Sequence, residues 1–298
     1  MALSARMQAL VDKTLAFACP AGTSLAEQRA AYARMAAAFT PPPPAGLEQR
    51  SVRLASGLAL RCYRPLAAEP AAGWPGLLYL HGGGWMVGGL DSHDFICRPL
   101  ALALQAQVVA VDYRLAPEAP YPAALEDTLE AWHWLTQAQG FDPSRLAVGG
   151  DSAGGNLAAA LCLALRGRPG PQPRSQALIY PLLGPGGDGS WLSHAHAPLL
   201  SADDVLQCLA AYLPTQAHRT SPLALPLLAP SLEGLPPAWV AVAEHDPLHD
   251  DGVRYTQRTG GILVEGPGML HGALRALDDP CIKRWREAMV KHVLTHWA

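Results

Sequence analysis

Gly150-Asp151-Ser152-Ala153-Gly154 constrains this chain more than any other stretch. The apolar run Arg145-Leu146-Ala147-Val148-Gly149 precedes it, and an alanine- and leucine-rich helical pattern over residues 156–165 follows. The context is therefore strand, turn, helix. A serine in so tight a turn is forced into strained backbone angles, and its hydroxyl is lifted clear of the sheet. A Cβ on either flanking glycine would collide with the neighbouring strand and helix. Ser152 is the expected nucleophile.

The rest of the chain alternates in the same way. Strand-like runs fall at residues 76–80, 108–113, 145–149, 177–180, 239–243 and 262–265, with helical patterns at 92–105, 123–138, 156–165, 203–212, 252–258 and 281–296. Strands that are apolar throughout and alternate with helices imply an α/β fold, a mostly parallel central sheet with helices on both faces. Two helical patterns, residues 3–17 and 24–39, come before the stiff Pro41-Pro42-Pro43-Pro44 spacer. Residues 49–54 and 58–63, joined at Ala55-Ser56-Gly57, read as an antiparallel hairpin. The proline- and glycine-rich stretch 181–230 breaks the rhythm, and reads as an insertion at the carboxyl edge of the sheet, where α/β proteins bind ligands.

Composition excludes several partner classes. Half of the 298 residues are hydrophobic and only 16% are charged, enough for an ample core. The formal net charge of −3 gives no reason to expect nucleic acid or a membrane surface as partner. Arg166, Arg168 and Arg174 read as a solvated loop. The six cysteines (Cys19, Cys62, Cys97, Cys162, Cys208 and Cys281) contain no C-x-x-C pair and read as isolated thiols in a reducing compartment. Arg6, Asp12 and Lys13 interrupt the first twenty residues, so that segment reads as an amphipathic helix rather than a signal peptide. No apolar run approaches the ~20 residues of a membrane span. A soluble, cytoplasmic protein is expected.

A nucleophilic serine needs a base, a group that orients the base, and donors for the oxyanion. His81-Gly82-Gly83-Gly84-Trp85 follows directly on a strand, and consecutive glycines let backbone N–H groups converge on one point. The Ala153 N–H, just after the nucleophile, is a further donor. Asp246, at the end of the strand 239–243, is the first candidate for the acid; Asp250 and Asp251 are its rivals, at what reads as a helix start. His271, in Gly268-Met269-Leu270-His271-Gly272, is the first candidate for the base. His292 and His296 fall on the terminal helix, and His194 and His196 in the insertion. The cluster His245, Asp246, His249, Asp250 and Asp251 also has the composition of a metal site, but nothing else in the chain supplies a metal shell, so no metal is expected.

These motifs resemble the hormone-sensitive-lipase-like branch of the α/β-hydrolases, also called bacterial esterase family IV. The resemblance runs from about Val52 to His271 and includes the His81–Trp85 loop, Asp112-Tyr113-Arg114-Leu115-Ala116-Pro117-Glu118, the Gly150–Asn156 turn, Asp246-Pro247-Leu248 and Pro267–Gly272. It implies an α/β-hydrolase fold and a cofactor-free esterase of short- to medium-chain acyl esters. Its triad would be Ser152, Asp246 and His271. The oxyanion hole would be the backbone of Gly83, Gly84 and Ala153, supported by His81 and Gly82. A helical cap would be built from residues 1–45 and an insertion at about 184–225, over a catalytic domain spanning 46–298. A homodimer is the implied macromolecular partner.

The motif 113–118 reads as scaffold, with Arg114 and Glu118 bracing the chain behind the site. The family's segment between acid and base is longer than residues 252–271 here, which predicts a short last strand. Trp85, Phe39, Tyr32, Leu199 and Leu206 are the candidate pocket residues, with Leu15, Phe17, Trp191 and Tyr212 behind them. An amidase or deacetylase of small acylated molecules would use the same machinery. A ligand receptor on this scaffold is the non-enzymatic alternative, and the presence of His271 argues against it.

Overall fold

The computed structural model describes residues 3–298; Met1 and Ala2 of the 1–45 segment lie outside the described residues. Its centre is an eight-stranded sheet in the order β1-β2-β4-β3-β5-β6-β7-β8. The strands are β1 (Leu47–Arg53), β2 (Ala59–Pro65), β3 (Trp74–Leu80), β4 (Gln107–Asp112), β5 (Phe141–Asp151), β6 (Gln176–Ile179), β7 (Ala238–His245) and β8 (Ile262–Leu270). β2 runs antiparallel to both its neighbours, and β4 through β8 pair in parallel. The hairpin and all six predicted strands are present.

The central strands are buried on both sides, and the period of two sorts their residues between two cores. Leu78, Leu80, Val109, Val111, Val148, Val240 and Val242 face one side. There they meet α4 (Ala123–Gln137), α5 (Ala153–Leu165) and α9 (His249–Thr259). Leu77, Tyr79, Val108, Ala110, Ala147, Ile179, Trp239 and Ala241 face the other. They pack on α3 (Asp94–Leu104), α10 (Pro280–Trp297) and the buried residues Met7, Leu10 and Val11 of α1 (Ala5–Leu15). Each core helix needs only one apolar stripe, except α5. Residues 153–164 of α5 are all buried, which explains its run of alanines and leucines. A Cβ on Gly154 would fall on the carbonyl oxygen of Leu80, so glycine there sets how closely the helix approaches β3.

α2 (Leu25–Phe39) opens on a capping box, in which Ser24 and Glu27 satisfy each other's backbone N–H groups. The insertion carries α6 (Ser190–Ser193), α7 (Ala202–Tyr212) and α8 (Gln216–Arg219). Ser201 and Asp204 form a second capping box at the start of α7.

One expectation fails. The last strand is neither short nor frayed: β8 has nine residues. Pro267 and Gly268 fall where a strand should stop, and the register with β7 does shift, from Ala243↔Gly266 to His245↔Leu270. The chain takes up the extra residues as a bulge. The Gly268 N–H donates to the Glu244 carboxylate at 2.6 Å, and pairing resumes at Leu270, one residue before His271. A proline is tolerated in this strand because β8 is at the sheet edge.

Candidate active site

Ser152 stands between β5 and α5 with φ 54° and ψ −120°, a conformation that L-residues rarely adopt. Its own N–H donates to the Ile179 carbonyl on β6 (2.9 Å), which pins the turn to the sheet. The chain leaving β8 brings His271 to it. His271 Nε2 lies 2.9 Å from Ser152 Oγ, and His271 Nδ1 lies 2.7 Å from Asp246 Oδ2. Asp246, after β7, is fully buried, and its other oxygen accepts the Leu248 N–H at 2.8 Å. With Nδ1 donating to Asp246, Nε2 is free to accept the serine proton. The His271 ring leans on Tyr180, with ring centroids 4.5 Å apart.

The rivals for these roles point elsewhere. Asp251 accepts from the N–H groups of Leu183 and Gly184 (2.7 and 2.8 Å), and Asp250 from that of Ser190 (3.0 Å). His249 lies between Asp250 and Glu265. The acidic and histidine residues of this stretch are thus spoken for singly, and no cluster with metal-holding geometry occurs among the described residues. His292, on the terminal helix, donates from Nε2 to the Pro237 carbonyl at 3.2 Å.

The glycine loop after β3 turns back on itself through bonds from the Met86 and Val87 N–H groups to the Gly83 carbonyl, both 3.0 Å. Gly83 (φ 123°) and Gly84 (φ 58°) are left-handed. A Cβ on Gly83 would strike the Val87 carbonyl, and one on Gly84 would strike Cys208 Sγ. Both N–H groups are free of protein acceptors among the described residues. Ala153 is the first residue of α5, where an N–H has no intrahelical partner. The loop is held from below by Asp151. Its carboxylate accepts from Tyr79 Oη (3.0 Å) and the Gly82 N–H (3.2 Å), and lies 3.2 Å from His93 Nε2. Burial works to raise this carboxyl, but His93, Arg275 and Tyr79 outweigh it and hold it down at about 2. His81 stacks on Tyr113 with centroids 4.1 Å apart, and burial pushes its ring down to about 3, so it is neutral.

A cavity of about 320 Å³ opens over Ser152. Of the candidate pocket residues, Tyr32, Trp85 and Leu199 line it. Phe39 and Leu206 do not. Phe39 packs against the core on the α1 side, where Lys13 sits 4.2 Å from its ring centre, and Leu206 is 52% exposed on α7. Apolar spacing shows which residues share a helix face, not which face looks at the site. Leu15, Phe17, Trp191 and Tyr212 also lie outside the lining; Tyr212 is the buried stacking partner of Trp85, 4.1 Å away. Val205 and Cys208 of α7, Met35 of α2, Thr14 of α1 and Leu200 join the wall instead. Asp151, His93, Tyr180 and Arg275 were not singled out by sequence. Only Asp151 carried a signal, its place beside the serine.

The scaffold motif behaves as read. Arg114 pairs with Asp127 on α4, and Glu118 takes both ends of the Arg29 guanidinium from α2 at 2.7 Å. Arg29 also donates to the Met86 and Ala116 carbonyls, so one side chain ties α2 to the glycine loop.

Fold and site together have the arrangement of a hydrolase, with Ser152 at a strand–helix turn. The family model for the alpha/beta hydrolase fold matches residues 77–275, more than half of the chain. The chain belongs to the α/β-hydrolase family, in its hormone-sensitive-lipase-like branch. It is 40% identical over 259 residues to carboxylesterase NlhH of Mycobacterium tuberculosis, covering 81% of each chain. It is 41% identical over 232 residues to ethyl acetate hydrolase of Pseudomonas putida, covering 73% of this chain and 72% of that one. The hyperthermophilic esterase from the archaeon Pyrobaculum calidifontis superposes with a TM-score of 0.86 at 31% identity, covering 100% of this chain and 98% of that one.

Proposed function

We propose that the protein is a carboxylic ester hydrolase for short- to medium-chain acyl esters, working through Ser152, His271 and Asp246. The observation that carries this reading is the unbroken relay from Ser152 Oγ through both ring nitrogens of His271 to buried Asp246. The esterases among its relatives support it.

As Ser152 Oγ bonds to the acyl carbon, its proton passes to His271 Nε2, and the imidazolium formed is stabilised by Asp246. The carbonyl oxygen takes up negative charge facing the N–H groups of Gly83, Gly84 and Ala153. Collapse of the tetrahedral intermediate breaks the C–O bond to the alcohol, which leaves with the proton from Nε2. A water then gives a proton to Nε2 while its oxygen attacks the acyl-enzyme. Collapse expels Ser152 Oγ, which recovers the proton, and the acid departs.

Residues of α1, α2 and the 184–225 insertion wall the cavity and act as its cap. Its volume lies at the low end for small-molecule sites. That suits a short acyl chain and leaves no room for a long-chain triglyceride. The unpaired thiols of all six cysteines fit a reducing, cytoplasmic setting. The free edge of β8, with Ile262 54% exposed, is the surface through which a homodimer would form.

Hydrolysis of p-nitrophenyl esters from acetyl to palmitoyl tests the reading, with Ser152→Ala beside the unaltered protein. An optimum at short or medium chains that vanishes in the folded Ser152→Ala variant is expected. Turnover retained by that variant would move the nucleophile elsewhere. Turnover of small acyl amides but not of esters would make the protein an amidase.

A further inference from the structure

The cavity over Ser152 is lined largely by apolar side chains, among them Leu182, Leu199, Leu200, Val205 and Leu248. The same lining holds a cation. Arg275 lies in the turn of 3-10 helix Ala273–Arg275, four residues beyond His271, and lines the same cavity. One of its terminal nitrogens donates to the Ser92 carbonyl at 3.4 Å and the other to Tyr32 Oη at 3.1 Å. The guanidinium sits over the Phe95 ring, 4.7 Å from its centre. A guanidinium has five N–H donors, and these two bonds use two of them. Among the described residues no carboxylate lies within ion-pairing distance of Arg275. Asp151 is the nearby negative charge, held down in part by Arg275, but its oxygens bond to Tyr79, Gly82 and His93 and not to the guanidinium. Tyr32 accepts from Arg275, and burial raises its hydroxyl above its ordinary value, so it keeps a proton to donate.

The charge of Arg275 helps to keep Asp151 ionised, but its remaining N–H donors have no partner among the described residues. Tethering α2 needs no charge; a neutral donor to Tyr32 would serve. A planar fork with unused donors beside a hydroxyl is instead suited to a carboxylate. We propose that Arg275 and the Tyr32 hydroxyl form a carboxylate-binding subsite, so that the preferred substrates are esters carrying a carboxylate away from the scissile bond. This rests on the esterase reading above. It adds a charged substrate class to a pocket walled mostly by apolar side chains.

The test reads binding to the Ser152→Ala protein by calorimetry, with two matched pairs of ligands. Ethyl hydrogen glutarate against ethyl pentanoate places the carboxylate on the acyl side. Butanoyloxyacetate against propyl butanoate places it on the alcohol side. In one pair the charged member should bind about ten- to a hundredfold more tightly, as expected for hydrogen bonds to a charged group. Adding Arg275→Met should erase that preference, and Arg275→Lys, which keeps the charge and a donor, should retain part of it. In the protein with Ser152 intact, the same preference should appear in KM rather than kcat.

Equal affinity within both pairs overturns the proposal before any arginine variant is made. So does a preference that survives in Arg275→Met. Arg275-dependent binding without turnover of any ester would keep the subsite and sink the esterase reading. Turnover of neutral esters with no charge preference would do the reverse.

Discussion

Ser152 is held at φ 54°, ψ −120° because its hydroxyl has to stand clear of the sheet, and that geometry should cost folding stability. Comparing Ser152→Gly with Ser152→Ala isolates the cost. Both variants lose the bond to His271 and both should be inactive, so they differ in one methyl group and in backbone freedom. Alanine keeps the strain, about 1–3 kcal/mol for a residue in such a region, and glycine releases it. Against that gain, glycine loses about 0.5–1 kcal/mol through the greater freedom of its unfolded chain. The missing methyl, at a half-buried position, takes back a few tenths more. The glycine variant should therefore be more stable than the alanine variant by about 1 kcal/mol, or roughly 2 °C in Tm for a chain of this size. Urea titration with equal m-values for the two proteins reads the difference directly. A glycine variant equal to or weaker than the alanine variant would mean that the turn is relaxed. The account of how the nucleophile is presented would then be wrong.

Gly83→Ala should cut kcat by roughly a hundred- to a thousandfold, since the added methyl meets the Val87 carbonyl and displaces an oxyanion donor; kcat within threefold of the unaltered protein would remove Gly83 from the hole. His271→Ala should cost several orders of magnitude in kcat while His292→Ala costs little, and the opposite ranking of the two would transfer the base to the terminal helix. Stability should fall on acidification from pH 7 to 5. Burial pushes His81 down to about 3 and His292 to about 4, so the unfolded chain, with histidines titrating near ~6.5, takes up protons that the folded protein refuses. Each ring costs about 2 kcal/mol over that interval. Burial raises Asp251 to about 6, so the folded protein binds that proton first, which returns about 1 kcal/mol. Urea titrations at the two pH values should show a loss that is about 2 kcal/mol smaller in His292→Leu; a loss unchanged by that substitution would refute the assignment.

Local patterns carried the strands, the core helices and the three residues of the relay, because each depends on a short segment whose neighbours announce it. Ser152, Asp246 and His271 all follow the carboxyl ends of strands, and a strand's apolar run is visible in the sequence even where its partner is not. The cavity wall was a different matter. Phe39 and Leu199 are both apolar residues packed against the same core, yet only Leu199 also lines the cavity over Ser152, a difference set by how α2 and the insertion are tied down. Those ties are long-range: Arg29 to Glu118, Arg275 to Tyr32, Asp251 to Leu183. The length of β8 was hidden for a related reason. Pro267-Gly268 reads locally as a stop, and only the pairing of His245 with Leu270 shows that the strand continues beyond it.

The bonds from Asp250 and Asp251 to Ser190, Leu183 and Gly184 fasten the start of the insertion to the first turn of α9, a few residues beyond Asp246. Seen mechanically, the near end of the insertion and the acid of the relay are mounted on one block. The insertion is therefore free to bend only beyond Ser190, where α7 carries Val205 and Cys208 of the cavity wall. Strain applied to α7 would thus reach the His271–Asp246 hydrogen bond only through that fixed mount.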